Sequence, residues 1–329
     1  MNQLGWGILA TGDIAHAFTE ALIRGGLRVT AVGSRSKPKA RAFAQHFGIA
    51  RYHPSYQELC RDEGVDIVYV ASPHAFHAEH ALLALSAGKH TLIEKPLALN
   101  GAQARLIERT ATDAGLVAME AMRTRFLPHM AAVREVVRSG RLGEVRAVTA
   151  DITHNSNRAA DHRIHNLELG GGALLDLGVY AAAFAFDLLG APREVKATAV
   201  FEATGADAQC AASFLYGPQT GAYWLAALNG RGPNTAAVIG SEARIEIARP
   251  WHCDADFAVI AGDDRVVMSR KAQALGHGFV FQALEMERLA TQGPGDPGPM
   301  PLSESVKVMD ALDAARKQIG LVYPSEAPK

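Results

Sequence analysis

Through roughly the first 120 residues, short apolar runs alternate with stretches whose apolar side chains recur every three or four positions. Gly7-Ile8-Leu9-Ala10 reads as a buried strand, and Asp13 to Arg24 then sets Ile14, Ala17, Phe18, Ala21 and Leu22 on one helical face before stopping at Gly25-Gly26. Val29 to Val32 predicts the next strand. Ser36 is placed to cap a helix with Lys37-Pro38 in its first turn and Ala40, Phe43, Ala44 and Phe47 inside, ending at Gly48. Asp66 to Ala71, Thr91 to Ile93 and Leu116 to Met119 predict further strands, separated by a helix ending at Gly88 and another from Gly101 to Ala114. Repeated βα units with short connections demand right-handed crossovers and a parallel sheet. Residues 1–122 are therefore expected to form a doubly wound α/β domain of the kind that binds nucleotides.

After Glu120 the pattern changes. A helix from Pro128 to Ser139 precedes a long strand, Val145 to Thr153, and an apolar helix spans Gly170 to Leu189. Val195–Phe201, Ala211–Tyr216, Gly221–Leu228, Ala236–Ile239 and Ala243–Ile247 then follow as strands with no helix between them. Residues 123–329 are thus expected to form an α+β domain on one large, open-faced, mostly antiparallel sheet. An apolar sheet face left by the helices needs a cover, so a homodimer or homotetramer through that sheet is expected. Helical patterns at Phe279–Thr291 and Ser303–Ile319 close the chain, separated by the turn-forming run Gly293-Pro294-Gly295-Asp296-Pro297-Gly298.

Charge narrows the partners. With 33 Lys and Arg against 34 Asp and Glu, the net charge of -1 offers nothing to nucleic acid or an anionic membrane. Cys60, Cys210 and Cys253 are far apart and form no CxxC, as suits a reducing cytoplasm, and the first residues lack the features of a signal peptide. The Gly170–Gly190 stretch is apolar enough to suggest a membrane helix, but it carries Asp176 and Asp187. Each carboxylate would cost about 2.5–3.5 kcal/mol at a bilayer centre, so a buried helix is expected.

The chemistry concentrates at a few places. Thr91-Leu92-Ile93-Glu94-Lys95-Pro96-Leu97 is a strand that ends on two opposite charges and a proline. Open parallel sheets bind ligands at that end of a strand, which makes Lys95 an active-site candidate; a strand-end ion pair with Glu94 is the structural alternative. The first strand-to-helix turn, Ala10-Thr11-Gly12-Asp13-Ile14-Ala15, keeps only Gly12 of the glycines that let backbone N–H groups approach a pyrophosphate. The second strand ends on Ser34-Arg35-Ser36 without the acidic residue that takes the ribose hydroxyls of NAD. Serine and guanidinium suit a 2′-phosphate, so NADP is preferred and NAD remains possible, with a solvated basic turn as the alternative. Ser72, Pro73, His74 and His77 follow the strand that ends near the expected path of the cofactor.

Asp176 and Tyr180 stand four apart behind Gly170-Gly171-Gly172, on one helical face; a tyrosine satisfied by an aspartate inside a core has the same spacing. His74, His77 and His80 fall three apart and His154, His162 and His165 form a second group, but no cysteine or acidic residue completes a ligand set and no metal is expected. Arg163 and His165 are candidates to shape a substrate pocket.

Ala10-Thr11-Gly12-Asp13-Ile14-Ala15, Glu94-Lys95-Pro96 and the glycine-led helix with Asp176 and Tyr180 together resemble the Gfo/Idh/MocA family over essentially the whole length. The resemblance implies a Rossmann domain, an α+β domain with an open-faced sheet, and hydride transfer between a nicotinamide and a sugar, polyol or cyclic diol. It implies that Lys95 contacts substrate and cofactor beside Glu94, and that Asp176 and Tyr180 line the substrate pocket. Tyrosine at 180, together with Glu120-Ala121-Met122-Arg123-Thr124-Arg125-Phe126-Leu127-Pro128, resembles the branch containing dimeric dihydrodiol dehydrogenase and NADP-dependent D-xylose dehydrogenase. Arg123 would then face the nicotinamide and Phe126 the substrate. Alcohol oxidation needs a base for the hydroxyl proton, and an ammonium beside a phenol favours phenolate. Tyr180 is accordingly expected as acid/base, Lys95 as its electrostatic partner and Asp176 as the group that orients substrate. Two other activities occur on the same fold, an NAD-dependent glycosidase working by transient oxidation and a non-catalytic dinucleotide-sensing regulator.

Overall fold

The computed structural model describes residues 3–159, 161–273, 278–293 and 298–326, so part of the Gly-Pro run, 294–297, lies outside the described residues. The chain packs as two compact units, Met1–Arg123 with Phe279–Val306, and Thr124–Gly278 with Lys307–Lys329.

In the first unit, β1 (Gly5–Leu9), β2 (Arg28–Gly33), β3 (Arg51–His53), β4 (Ile67–Val70), β5 (His90–Ile93) and β6 (Ala118–Glu120) form a parallel sheet in the order β3-β2-β1-β4-β5-β6. Every residue of β1 and β4 is buried, because helices cover both faces, and this is why they read as unbroken apolar runs. The intervening helices are α1 (Asp13–Arg24), α2 (Lys37–Phe47), α3 (Tyr56–Arg61), α4 (His77–Ser86) and α5 (Gly101–Asp113). Ser36 stands at the N-cap of α2 as expected, yet its side chain makes no capping bond. Strand order reverses between β1 and β4, the switch point beside which open α/β sheets bind ligands.

In the second unit, α6 (Pro128–Arg138) precedes β7 (Val145–Thr153), and α7 (Val179–Leu189) precedes the remaining strands. These are β8 (Glu194–Phe201), β9 (Asp207–Leu215), β10 (Gly221–Ala227), β11 (Ala236–Gly240), β12 (Ala243–Ile247), β13 (Phe257–Ala261) and β14 (Val266–Arg270). They form one sheet in the order β14-β13-β12-β11-β7-β10-β9-β8, antiparallel except for β7 beside β10. One face takes α7, with Phe214 edge-on to Phe186 and to Trp224. On the other, alternate positions such as Tyr223, Leu225 and Ile239 stay exposed, and a hollow of about 600 Å³ lies over β8, β9 and β10. The apolar stretch Leu167–Leu189 is mostly buried within this unit, and its Asp187 pairs with Arg125 and Arg134. α8 (Phe279–Gln292) belongs to the first unit, and α9 (Leu302–Ile319) completes the helices among the described residues.

Candidate functional site

In the first unit the expected residues gather at the carboxyl ends of the central strands. Ala10 follows β1 and donates its N–H to the Gly33 carbonyl at 3.0 Å, with φ at +86°, the left-handed region that favours glycine. Thr11 and Gly12 lead into α1, whose first residue Asp13 is exposed and sits where a negative charge suits the helix dipole; Ile14 follows, half-buried. At the end of β2, Ser34 is buried and its Oγ accepts the Ser36 N–H at 3.3 Å, while Arg35 is exposed and lies beside Tyr56 and His80.

The turn after β5 is held from two directions. Glu94 is buried, and its carboxylate takes the Tyr69 hydroxyl at 2.5 Å. Burial pushes the Glu94 carboxyl up, opposed by the Tyr69 bond and by the charges of Lys95 and Arg123. Lys95 joins Pro96 through a cis peptide. Beyond it the Leu97 N–H donates to Glu120 Oε1 at 2.9 Å, and the Pro96 carbonyl lies 2.7 Å from Nδ1 of the fully buried His77. The other ring nitrogen of His77 lies 2.8 Å from the Ser72 carbonyl. A neutral imidazole donates through one nitrogen only, so it bonds one carbonyl at a time and protonation would satisfy both. Burial nonetheless pushes His77 down to about 4, helped by His80 and Lys95 and opposed by the two carbonyls. Ser72 Oγ is 2.8 Å from His80 Nδ1, and the buried His74, beyond Pro73, sets its ring edge-on to His77. Arg123 lies over the Phe279 ring of α8 at 5.0 Å.

In the second unit the expected single helix from Gly170 is broken into pieces. After a short 3-10 turn (Leu167–Leu169) and the glycines, Leu174–Gly178 form a π-helical turn in which the Val179 N–H reaches back to the Leu174 carbonyl, and α7 begins only at Val179. Such turns recur at functional sites because they re-aim the side chains they carry. Asp176 lies in that turn, buried, with Arg163 Nη1 at 3.3 Å from its Oδ1; Tyr180, half-buried, opens α7 with its ring 5.5 Å from that of His252. Arg163 and Asp176 are therefore brought together. His165 is turned elsewhere, with Nδ1 2.8 Å from Glu202 and Nε2 3.2 Å from Ser156 Oγ. Phe126 ends a 3-10 turn and is half-buried.

Residues 4–122 match the oxidoreductase family with an NAD-binding Rossmann fold, and residues 130–246 match the GFO/IDH/MocA C-terminal domain. The chain belongs to the Gfo/Idh/MocA oxidoreductases. It is 31% identical over 334 residues to trans-1,2-dihydrobenzene-1,2-diol dehydrogenase from Mus musculus, covering 98% of this chain and 99% of that protein. D-xylose 1-dehydrogenase (NADP(+)) from Hypocrea jecorina is 33% identical over 367 residues, 98% of this chain and 93% of that one. A 3-ketoreductase from Actinomadura kijaniata, solved with NADP and TDP-benzene, superposes with a TM-score of 0.88 at 27% identity over 97% of this chain and 98% of its own.

As a Gfo/Idh/MocA member the protein is an NAD(P)-dependent oxidoreductase, and its first unit fits the dinucleotide. Gly12 is the N-cap of α1 without a side-chain cap, and a Cβ built there meets nothing within 4 Å, which leaves the first-turn N–H groups open to a pyrophosphate. Some of what shapes these sites is not visible in the sequence. The contact of His77 with the Pro96 carbonyl, and the grip of Glu120 on Leu97, join residues 19 and 23 apart in the chain and leave no periodic signal. Asp207, at the head of β9, accepts the Leu174 N–H at 2.6 Å; an aspartate at the start of a strand reads from sequence as a turn residue.

Proposed function

We propose that the protein transfers hydride between NADP and an alcohol carbon of a sugar, polyol or cyclic diol, with Tyr180 as acid/base, Lys95 as its electrostatic partner and hydroxyl ligand, and Asp176 orienting the substrate. The observation that carries this is the Lys95 turn, anchored by Glu94, His77 and Glu120 at the carboxyl end of a central parallel strand. A lysine fixed in that way serves orientation, and orientation with charge placement is most of what such a reaction asks of the protein. The diol and xylose dehydrogenases named above, both full-length relatives, support the substrate class.

When bound, the nicotinamide supplies the two-electron acceptor. Thr11, Gly12 and Ile14 would offer backbone N–H groups to the pyrophosphate, Ser34, Arg35 and Ser36 would hold the 2′-phosphate, and Ser72, Pro73, His74 and Arg123 would line the rest of its path. The phenolate of Tyr180 would take the hydroxyl proton, while Lys95 steadies the developing oxyanion. Asp176, paired with Arg163, would accept a hydrogen bond from a neighbouring substrate hydroxyl; Phe126 and His165 would bound the pocket. The protein would work in the cytoplasm as a homodimer or homotetramer, joined through the sheet face that exposes Tyr223, Leu225 and Ile239.

Appearance of reduced cofactor with NADP, then NAD, against aldoses, inositols and cyclic trans-diols tests the proposal, beside Lys95→Met and Tyr180→Phe. Turnover with one substrate class, favouring NADP and lost in both variants, is the expected result. No turnover, with cofactor binding intact, would transfer the assignment to a glycosidase or a regulator, and near-normal turnover of Tyr180→Phe would remove Tyr180 as acid/base.

A further inference from the structure

We infer that Asp207 is a positioning residue of the second unit, a buried carboxyl whose protonation state sets how firmly the turn bearing Asp176, and with it the start of α7 at Tyr180, is held. The roles of Asp176 and Tyr180 rest on the activity proposed above; the hold itself is geometry within one unit. Asp207 is fully buried, and its Oδ2 accepts the Leu174 N–H at 2.6 Å, so the carboxyl sits on the open N-terminal end of the π turn. Gly172 gives way to it: a Cβ there would fall 1.9 Å from Asp207 Oδ1, and φ is +122°. Oδ1 itself has no hydrogen-bond partner among the described residues. The same turn is braced from the C-terminal segment, where the buried Tyr323 hydroxyl donates to the Gly171 carbonyl at 3.3 Å under the Arg316 guanidinium.

A carboxyl with one oxygen capping a helix end and the other bare is poised between two states. The ionised form grips the Leu174 and Ala173 N–H groups with charge-assisted bonds; the protonated form relieves a buried charge and loosens them. Burial pushes Asp207 up to about 7, helped by the charge of Glu202 and opposed by those N–H groups. The other titratable groups facing it are Tyr323 and Cys210, both held neutral by burial, and Glu202, whose carboxylate lies 2.8 Å from His165 Nδ1.

The test begins without substrate. In ¹⁵N-labelled wild-type protein the Leu174 amide resonance should shift with a midpoint near pH 7, the value to which burial raises Asp207, and in Asp207→Asn it should stay flat. Asparagine copies the protonated acid, so kcat/KM of the variant should match the wild type below the midpoint and fall about five- to tenfold short above it, with NADP affinity unchanged. A wild-type Leu174 amide that does not titrate between about pH 5 and 9 would overturn the inference. So would an Asp207→Asn profile that keeps the wild-type pH dependence. If the variant fails to fold, the wild-type amide titration still decides. Absence of turnover in the wild type, with the titration present, would instead count against the proposed activity.

Discussion

Replacing Ala10 by glycine should stabilise the first unit slightly, and replacing it by valine should damage it. With φ at +86°, Ala10 occupies backbone space that costs an L residue about 1–2 kcal/mol and costs glycine nothing. Glycine's extra freedom in the unfolded chain removes about 0.4–1 kcal/mol of that gain, and loss of the half-buried methyl removes about 0.4 kcal/mol more. About half a kcal/mol should remain, a rise of about 1–2 °C in melting temperature for a unit of this size. Valine adds a branched Cβ to the same backbone and should cost about 2 kcal/mol or more. Thermal and urea unfolding of the cofactor-free protein measure both, and NADP affinity should move by less than about twofold, since the turn has this shape before any ligand arrives. Opposite signs for the two variants support the reasoning. Destabilisation by glycine of more than about 1 kcal/mol would refute it, because the strain would then lie elsewhere.

Acid should loosen the first unit. His77 and His80 have pKa values lowered to about 4, so the unfolded chain takes up protons from about pH 6.5 and stability falls from there down to about 4, by up to about 3 kcal/mol for the fully buried His77 and by less for His80, whose charge solvent partly screens. Hydrogen exchange of the β4 amides at neutral and mildly acidic pH measures this, and unchanged protection would contradict it. Asp187→Asn should cost about 3–5 kcal/mol in urea unfolding, because Arg125 at 3.3 Å and Arg134 at 2.8 Å lose their shared, buried partner; a loss below about 1 kcal/mol would mean that the pair is not what holds the helix. Gly172→Ala, driven into Asp207 Oδ1 in a left-handed conformation, should lose about 2–5 kcal/mol, whereas Gly217→Ala, with open space at its Cβ, should be nearly silent.

The sheet class of each part is legible because its cause is periodic. β1 and β4 are buried on both faces and read as continuous apolar runs, while β10 alternates a buried Trp224 with exposed Tyr223 and Leu225. β13 and β14 are not among the strands the pattern predicts: β14 is short, lies at the sheet edge and exposes Val266 and Val267, so nothing in it marks an inward face. β3, three residues long, is an edge strand of the same kind. The π turn is invisible too, since one extra residue in a helix of small and apolar side chains leaves the composition unchanged. Glu94, Lys95 and Pro96 can be found because charge follows an apolar strand abruptly, but the partners that fix them are set by tertiary packing. Asp207 reaches Leu174 across 33 positions, a distance at which local pattern carries no information.

The first unit is discontinuous in the chain, and this bears on how such a protein can be taken apart and inherited. α8 returns to it from beyond residue 278, sets Phe279 against Phe18 and beneath Arg123, and supplies Glu287 to the Trp6 indole at 2.8 Å. A chain cut short at Arg123 would bare those aromatic rings and leave the Trp6 N–H without its acceptor. The nucleotide-binding unit is therefore no portable cassette: a recombination point between the two sequence segments would strip it of a wall, and exchange between relatives succeeds only if the far segment travels with the near one.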